Sequence, residues 1–300
     1  MTRQGWWKFQ ARAAPYLFVS PFLIIFTVFL LYPLSRSFYL SFHRTVGPGH
    51  QMFIGLGNYR FLLRHDLLFG LAVLNTAIYT VAFLLLQIPI SLGLALLLSG
   101  RGVRLKSVFR FSFFSSYLVG QVFVGVIFFQ FFSPGGLVNQ TISALLGRRI
   151  VIGWLSNPAM VLPSVLIAGL WLATGYGMVY FQAALQAVDP ELYEAAQVDG
   201  AGRCRRFLHV TLPGIRHVLV YMILIGAIGG FQLFELPFVL LQGAGPGGRG
   251  ITIVMYLFIM GFNAGDLGYA SAIGWLLVAM LLIIFAARVR FFRIHREMNV

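Results

Sequence analysis

Long apolar runs alternate with short polar connections along this chain. Crossing the hydrocarbon core of a membrane takes about 20 apolar residues in a helix, and six runs reach that length. They cover about residues 17–42, 70–99, 107–132, 160–187, 213–237 and 268–290. The first run is longer than the roughly 7–15 apolar residues of a cleaved signal peptide. The pattern predicts an all-α, polytopic membrane protein with six transmembrane helices over 17–290 and short tails over 1–16 and 291–300.

The composition agrees with a membrane protein and argues against one that binds nucleic acid. Hydrophobic residues make up 59% of the 300 residues and charged residues 10%, whereas soluble domains carry about 25% charged residues. The net charge of +14 would suit nucleic acid, but the basic residues cluster beside the apolar runs, as membrane topology requires. Membrane lipid is therefore the expected surrounding, and no nucleic acid partner is expected.

Lysine and arginine are shared unevenly between the two sides that six spans define. Fifteen of them lie in the two tails and in the connections between spans 2 and 3 and between spans 4 and 5. Seven lie near the opposite side. Because positive residues concentrate on the cytoplasmic side, we expect both termini and the connection between spans 4 and 5 to be cytoplasmic.

The connection between spans 4 and 5 is the only long polar segment in the C-terminal half. Asp189 can cap a helix that opens at Pro190, where the missing N–H costs nothing. Gly200 can end that helix, because glycine tolerates positive φ. A second short helix over about 202–211 should follow and end before Pro213. The segment is predicted to be a helix–turn–helix, acidic on its first arm and basic on its second.

This connection carries a spaced motif, Glu194-Ala195-Ala196, then Gly200, then Val210-Thr211-Leu212-Pro213. It resembles the EAA loop of bacterial ABC-importer permeases, although the family usually has Ile at the position of Val210. The resemblance implies that loop 189–213 couples the permease to a cytoplasmic ATPase. The implied coupling residues are Glu194, Ala195, Ala196, Asp199, Gly200, Leu212 and Pro213. Cys204 stands where relatives often have an aromatic residue. Apart from the motif, the segment would be an ordinary amphipathic connector.

Three motifs outside this loop resemble the carbohydrate and glycerol-phosphate branch of the family. They are Gly55-Leu56-Gly57-Asn58-Tyr59, Ser133-Pro134-Gly135-Gly136 and Leu267-Gly268-Tyr269-Ala270-Ser271-Ala272. The resemblance implies a type I ABC-importer permease fold in the bacterial inner membrane. It also implies two ATPase subunits, a second permease subunit forming a heterodimer, and an extracytoplasmic solute-binding protein. The expected solute is a sugar or a related polar solute; a non-sugar such as glycerol phosphate is the alternative.

Other classes of membrane protein fit the residues less well. An ion-coupled transporter usually needs acids at membrane depth, but seven of the eight acids lie in loops or tails, and Glu235 comes about 33 Å after Pro213 at helical rise. The six histidines have no metal-ligand spacing on a span, so neither a metal nor catalytic residues are expected. The two lysines, Lys8 and Lys106, do not follow a phosphate-binding glycine loop. ATP hydrolysis is therefore assigned to a partner, and no cofactor is expected.

The solute path is expected along spans 3, 4 and 5, where aromatic faces and amides could contact a sugar. The candidates are Trp171, Tyr176, Gln182, Phe231 and Gln232. Amides facing lipid are costly, which favours Gln232 and Gln121 pointing into the bundle. Gln182 lies outside the stretch that matches the family's solute site and is the weakest candidate. Ordinary packing between helices is the alternative role for each of these side chains.

Overall fold

The computed structural model describes residues 3–47, 49–100 and 104–297, with side chains described over 14–47, 49–100 and 104–286. The chain forms two units, residues 1–65 with 257–276 and residues 66–256 with 277–300. Five of the described helices are long and apolar enough to cross a membrane, and a bent helix pair makes a sixth candidate. The all-α polytopic fold is confirmed.

The first unit contains a long N-terminal helix, a small hairpin and parts of the C-terminal helices. Helix α1 (Arg3–Phe26) continues through a π-helical turn (Thr27–Leu31) into α2 (Tyr32–Leu40), so the backbone is helical across the tail boundary expected at residue 16. Strands β1 (His43–Thr45) and β2 (Gln51–Phe53) pair antiparallel with His43 opposite Phe53. Then follow α3 (Gly57–Arg64) and, late in the chain, the end of α14 (Ile253–Phe258), a π-helical turn (Ile259–Asn263) and the start of α15 (Leu267–Glu297).

Two of the sequence motifs fasten the hairpin of this unit. The Asn58 amide donates to the backbone oxygens of Ser41 and His43, both at 2.9 Å. At the second motif, the N–H of Gly268 donates to Thr45 Oγ1 at 2.9 Å. A Cβ on Gly268 would overlap the His43 carbonyl oxygen, so only glycine fits there. Both motifs therefore hold the β1–β2 hairpin in place.

The second unit is built around α8. The α-helices that lie wholly within it are α4 (Leu67–Ser99), α5 (Lys106–Leu118), α6 (Gln121–Phe132), α7 (Leu137–Leu146), α8 (Val161–Gln186), α9 (Pro190–Val198), α10 (Arg203–Arg206), α11 (Leu212–Gly214), α12 (Arg216–Phe231) and α13 (Glu235–Leu240). Over half of the apolar window of α8, 56%, is buried, against 28% for that of α4. Helix α8 packs against α4, α5, α6, α12 and α13, so it is the centre of the unit.

Glycines on α8 allow its neighbours to approach closely. A Cβ on Gly169 would overlap the Tyr79 hydroxyl of α4, and one on Gly175 would overlap the Phe113 carbonyl oxygen of α5. Small residues at such crossings let helix backbones come together in membranes, where packing drives association.

The continuous helices expected over 107–132 and 213–237 are both interrupted. Between α5 and α6 the backbone is extended at Val119 and Gly120, so the first of these spans is two helices. Helix α12 ends at Phe231, and α13 starts again at Glu235. Glu235 therefore does not continue a helix from Pro213, and the 33 Å expected for a straight helix does not apply.

Candidate coupling loop and solute cavity

The first arm of the coupling loop, residues 189–213, is helix α9. The carboxylate of Asp189 accepts the N–H of Glu191 at 2.9 Å and Pro190 is the first helical residue, as the sequence predicts for an N-terminal cap. The apolar side chains of Leu192 and Val198 are 54% and 88% exposed on this arm. Both side chains are therefore accessible to another protein.

The turn after α9 is a Schellman motif centred on Gly200. The N–H of Ala201 donates to the Ala196 carbonyl at 2.9 Å, and the N–H of Gly200 donates to the Gln197 carbonyl at 3.1 Å. Gly200 has φ +72, the left-handed conformation that this motif requires. The predicted turn at Gly200 is confirmed.

The second arm continues further than the sequence indicates. Helix α10, a π-helical turn (Phe207–Thr211) and α11 lead to a bend of 69° between α11 and α12. Pro213 lies inside α11, so it does not end the arm; the chain bends at Ile215. A π-helical turn is frequent at functional sites, and here it precedes a proline that cannot donate a backbone hydrogen bond.

Side-chain contacts hold the two arms together and anchor their ends. The hydroxyls of Tyr193 and Thr211 lie 3.0 Å apart and bridge the arms. Ile215 is buried in a core that also contains Met178 and Phe181 of α8. The loop is therefore a folded unit fixed at its base.

The implied coupling residues are mostly accessible. Glu194, Ala195, Asp199, Gly200 and Pro213 are exposed, and Ala196 and Leu212 are half-buried. The loop presents these residues to its surroundings, together with the exposed Cys204 of the second arm.

A cavity of about 190 Å³ lies within the second unit, between α4, α5, α6, α8, α12 and α13. Its polar lining comes from Tyr79 and Gln87 of α4, Tyr117 of α5, Gln121 of α6 and Tyr176 of α8. The remaining lining residues are apolar or glycine: Phe83, Gly169, Leu172, Ala173, Met222, Ile225, Gly226, Gly229, Gly230, Leu233 and Leu236. Among the residues that the structure describes, no side chain that lines it is charged at neutral pH.

Tyrosine rings form a row that starts at the cavity. Tyr117 and Tyr176 stack with centroids 4.6 Å apart and an interplanar angle of 25°. Tyr176 also contacts Tyr180 at 4.6 Å, and Tyr180 stacks on Tyr221 at 5.6 Å. The first two rings are thus held in place by neighbouring rings while they line the cavity, which preorganises an aromatic surface.

One of the five residues proposed for the solute path lines this cavity. That residue is Tyr176, and Gln121 also lines it. Trp171 is 46% exposed and packs its ring on Phe128. Its neighbours Leu172, Ala173 and Tyr176 form the cavity face of α8, and Trp171 lies on another face of the helix.

The other three residues also lie outside the cavity lining. Gln182 is buried at 4% exposure, and its Nε2 has no hydrogen-bond partner among the described residues. Phe231 is half-buried and Gln232 is exposed at the end of α12. Because that helix stops there, Leu233 and Leu236 line the cavity instead.

The contribution of α4 to the cavity was missed from the sequence. The Gln87 amide donates to Ser91 Oγ at 3.2 Å, and Ser91 Oγ donates to the Thr174 carbonyl at 2.9 Å. A Cβ on Gly177 would overlap Gln87 Nε2, so glycine there makes room for the amide. The signal in the sequence was an amide and a hydroxyl one helical turn apart within an apolar run.

Comparison with known proteins decides the family. The family model for the inner membrane component of binding-protein-dependent transport systems matches residues 87–296, well over half of the chain. The chain belongs to this family. The resemblance noted in the EAA-type loop is confirmed, and the protein is a multi-pass membrane component of a transport system.

Relatives of this permease along its whole length include two sugar-transport proteins. It is 36% identical to the arabinooligosaccharides transport system permease protein AraP of Bacillus subtilis (strain 168), covering 94% of this chain and 90% of that one. It is 33% identical to the lactose transport system permease protein LacF of Rhizobium radiobacter, covering 92% of this chain and 94% of that one.

Solved structures confirm the fold of an ABC-importer permease. One is a bacterial ABC transporter involved in the import of the acidic polysaccharide alginate, with a TM-score of 0.80, 25% identity, and 94% and 97% of the two chains covered. Another is the bacterial alginate transporter in complex with an alginate pentasaccharide-bound periplasmic protein, with a TM-score of 0.78, 25% identity, and 93% of each chain covered.

Proposed function

We propose that this permease carries a neutral saccharide through the cavity between α4, α8 and α12. Transport is driven by an ATPase that docks on the coupling loop. The observation that carries the proposal is the lining of the cavity, with three tyrosines, two glutamines and no charge. Aromatic faces suit the C–H side of a sugar ring, and amides and hydroxyls suit its hydroxyl groups.

The same lining argues against the alternative, glycerol phosphate. Phosphate is held in proteins by charge-assisted hydrogen bonds, mostly from arginine or lysine, and the lining contributes neither. Burying an anion without a partner is very costly. Two relatives are named for arabinooligosaccharide and lactose transport, which supports a saccharide as well.

A second permease subunit should cover the open side of the cavity, and we expect a heterodimer. Gln121 and Gly229 line the cavity and are exposed in the single chain, and Gln232 is exposed at the end of α12. Amides at membrane depth normally face a protein interior or an aqueous cavity rather than lipid. The partner would complete the path and shield these groups.

The coupling loop is the proposed dock for the partner ATPase, of which two copies are expected. Its accessible motif residues and the exposed Leu192 and Val198 of α9 support this assignment. The distribution of lysine and arginine supports a cytoplasmic loop and cytoplasmic termini. Closure of the ATPase pair would move the two loops together and switch access to the path, a two-state rocking change. A solute-binding protein would deliver the solute outside, as the complex with the periplasmic protein suggests.

The test is uptake by the importer reconstituted from this chain and its partner permease, ATPase and solute-binding protein. We expect ATP-dependent uptake of a neutral oligosaccharide, with no competition from glycerol phosphate. Tyr176→Ala should reduce uptake while hydrolysis stimulated by the loaded binding protein is largely kept. Trp171→Ala, also aromatic and on α8 but outside the cavity, is the matched control and should transport normally. Import of glycerol phosphate instead of a saccharide would refute the proposal.

A further inference from the structure

Three glycines of α12, Gly226, Gly229 and Gly230, line the cavity, but only two of them are needed for packing between the described helices of this chain. A Cβ on Gly226 would lie 2.6 Å from Leu84 Cδ2, and one on Gly230 would overlap Thr80 Oγ1. Both contacts are with α4, so these two glycines let α12 approach α4 closely, as small residues do between membrane helices.

Within this chain, Gly229 has neither of the usual reasons for being glycine. A Cβ there would meet no atom of the described residues within 4 Å, and its φ is not in the left-handed region. A glycine inside a helix costs about 0.5–1 kcal/mol relative to alanine. What a side chain at this position would fill is the cavity, which Gly229 lines on the same helix as Met222 and Ile225.

We infer that Gly229 sets the size of the solute that the cavity accepts. The missing side chain leaves room beside Tyr176 and Gln121 for part of a saccharide, and any side chain there narrows the cavity. This inference rests on the proposed function, because it assumes that the solute passes this cavity. The longest transported saccharides should be excluded first, since a size difference of one methylene in a pocket changes the discrimination between substrates about 10–200-fold.

The test compares Gly229→Ala and Gly229→Leu in the reconstituted importer. Gly93→Leu is the matched control, because Gly93 also lies within a helix, has no atom within 4 Å of an added Cβ, and does not line the cavity. Gly226→Ala is the comparison for a packing defect, because its added Cβ would lie too close to Leu84 of α4. The readouts are complex yield, thermal stability, and the ratio of disaccharide to longer-oligosaccharide uptake.

We expect both Gly229 variants to assemble as the wild type does, with Gly229→Ala at least as stable. Gly229→Leu should raise the ratio of disaccharide to longer-oligosaccharide uptake about tenfold or more, and Gly93→Leu should leave it unchanged. An unchanged ratio in Gly229→Leu overturns the inference, as does loss of assembly like that of Gly226→Ala. If the wild-type importer carries no saccharide, both the inference and the proposed function fail. If the wild type imports saccharides but Gly229→Leu leaves the uptake ratio unchanged, only the inference fails and the proposed function stands.

Discussion

Replacing Gly200 with valine should uncouple ATP hydrolysis from uptake without preventing membrane insertion. Gly200 holds the turn between the two arms of the coupling loop at φ +72. Its own N–H and the N–H of Ala201 donate the two hydrogen bonds of the Schellman motif that ends α9. The geometry of this turn sets the angle between the two arms. If the loop transmits force from an ATPase, a change in that angle should reduce the uptake obtained per ATP hydrolysed.

The size of the effect follows from the backbone alone. A Cβ on residue 200 meets no atom of the described residues within 4 Å, so steric overlap with them contributes nothing. The left-handed conformation costs L-residues about 1–2 kcal/mol, and more for a β-branched one, which is a genuine outlier there. A cost of about 2 kcal/mol lowers the population of the native turn roughly thirtyfold relative to other arrangements. The buried anchor at Ile215 is untouched, so the spans should still fold.

The assay measures uptake and ATP hydrolysis together in proteoliposomes that contain the assembled importer. Gly202→Val is the matched control, because Gly202 also has open space around an added Cβ but an ordinary extended backbone with φ −66. Gly200→Asn should retain more coupling than Gly200→Val, since asparagine visits the left-handed region more readily. Normal coupling in Gly200→Val, or equal loss in Gly202→Val, would refute the argument from the turn.

Three further changes test other parts of the structure. Gln87→Leu removes a polar group from the cavity and should weaken saccharide uptake, with ATP hydrolysis stimulated by the binding protein as the control measurement that stays near the wild-type level. Val198→Asp places a charge on the exposed apolar surface of α9 and should reduce co-purification of the ATPase, while the yield of the permease itself is unchanged. Asn75→Leu removes the amide that donates to the carbonyls of Gly248 and Ile251, both at 3.0 Å. It should lower the free energy of unfolding by about 1–3 kcal/mol, and an unchanged melting temperature of the purified complex would contradict this.

The coupling loop was the part that local sequence specified best. Its first arm depends on contacts between residues a few positions apart: the Asp189 cap, Pro190 at the first turn and Gly200 at the C-terminal turn. Such signals act through backbone hydrogen bonding and conformational preference, which are the same in every fold. The bend at Ile215 is not evident from the sequence, because the burial of Ile215 in the core beside α8 is a long-range contact that local sequence does not reveal.

The cavity could be predicted only in outline. Membrane helices are apolar on all sides, so hydrophobic periodicity does not reveal which face of α8 meets a neighbour. Trp171 and Tyr176 are equally plausible in sequence, but only Tyr176 lines the cavity. The contribution of α4 required knowing that α4 packs along α8, which is a long-range contact. The break between α5 and α6 places Tyr117 and Gln121 on separate helices, and a continuous span would have oriented them differently.

The position of the coupling loop in the chain suggests how it could act on the cavity. The loop joins α8 directly to α12, and these two helices supply more of the cavity lining than any other pair. At the base of the loop, a Cβ on Gly214 would lie 2.8 Å from Val188 Cγ2, so both ends of the loop are packed together. Tyr176 lies ten residues before the end of α8, about 15 Å along the helix. A force applied to the folded loop would therefore reach both walls of the cavity through two short, rigid helical segments. In the proposed mechanism, the ATPase pulls on the loop that connects α8 and α12, the two main walls of the cavity. It therefore need not act on a distant element to change the cavity.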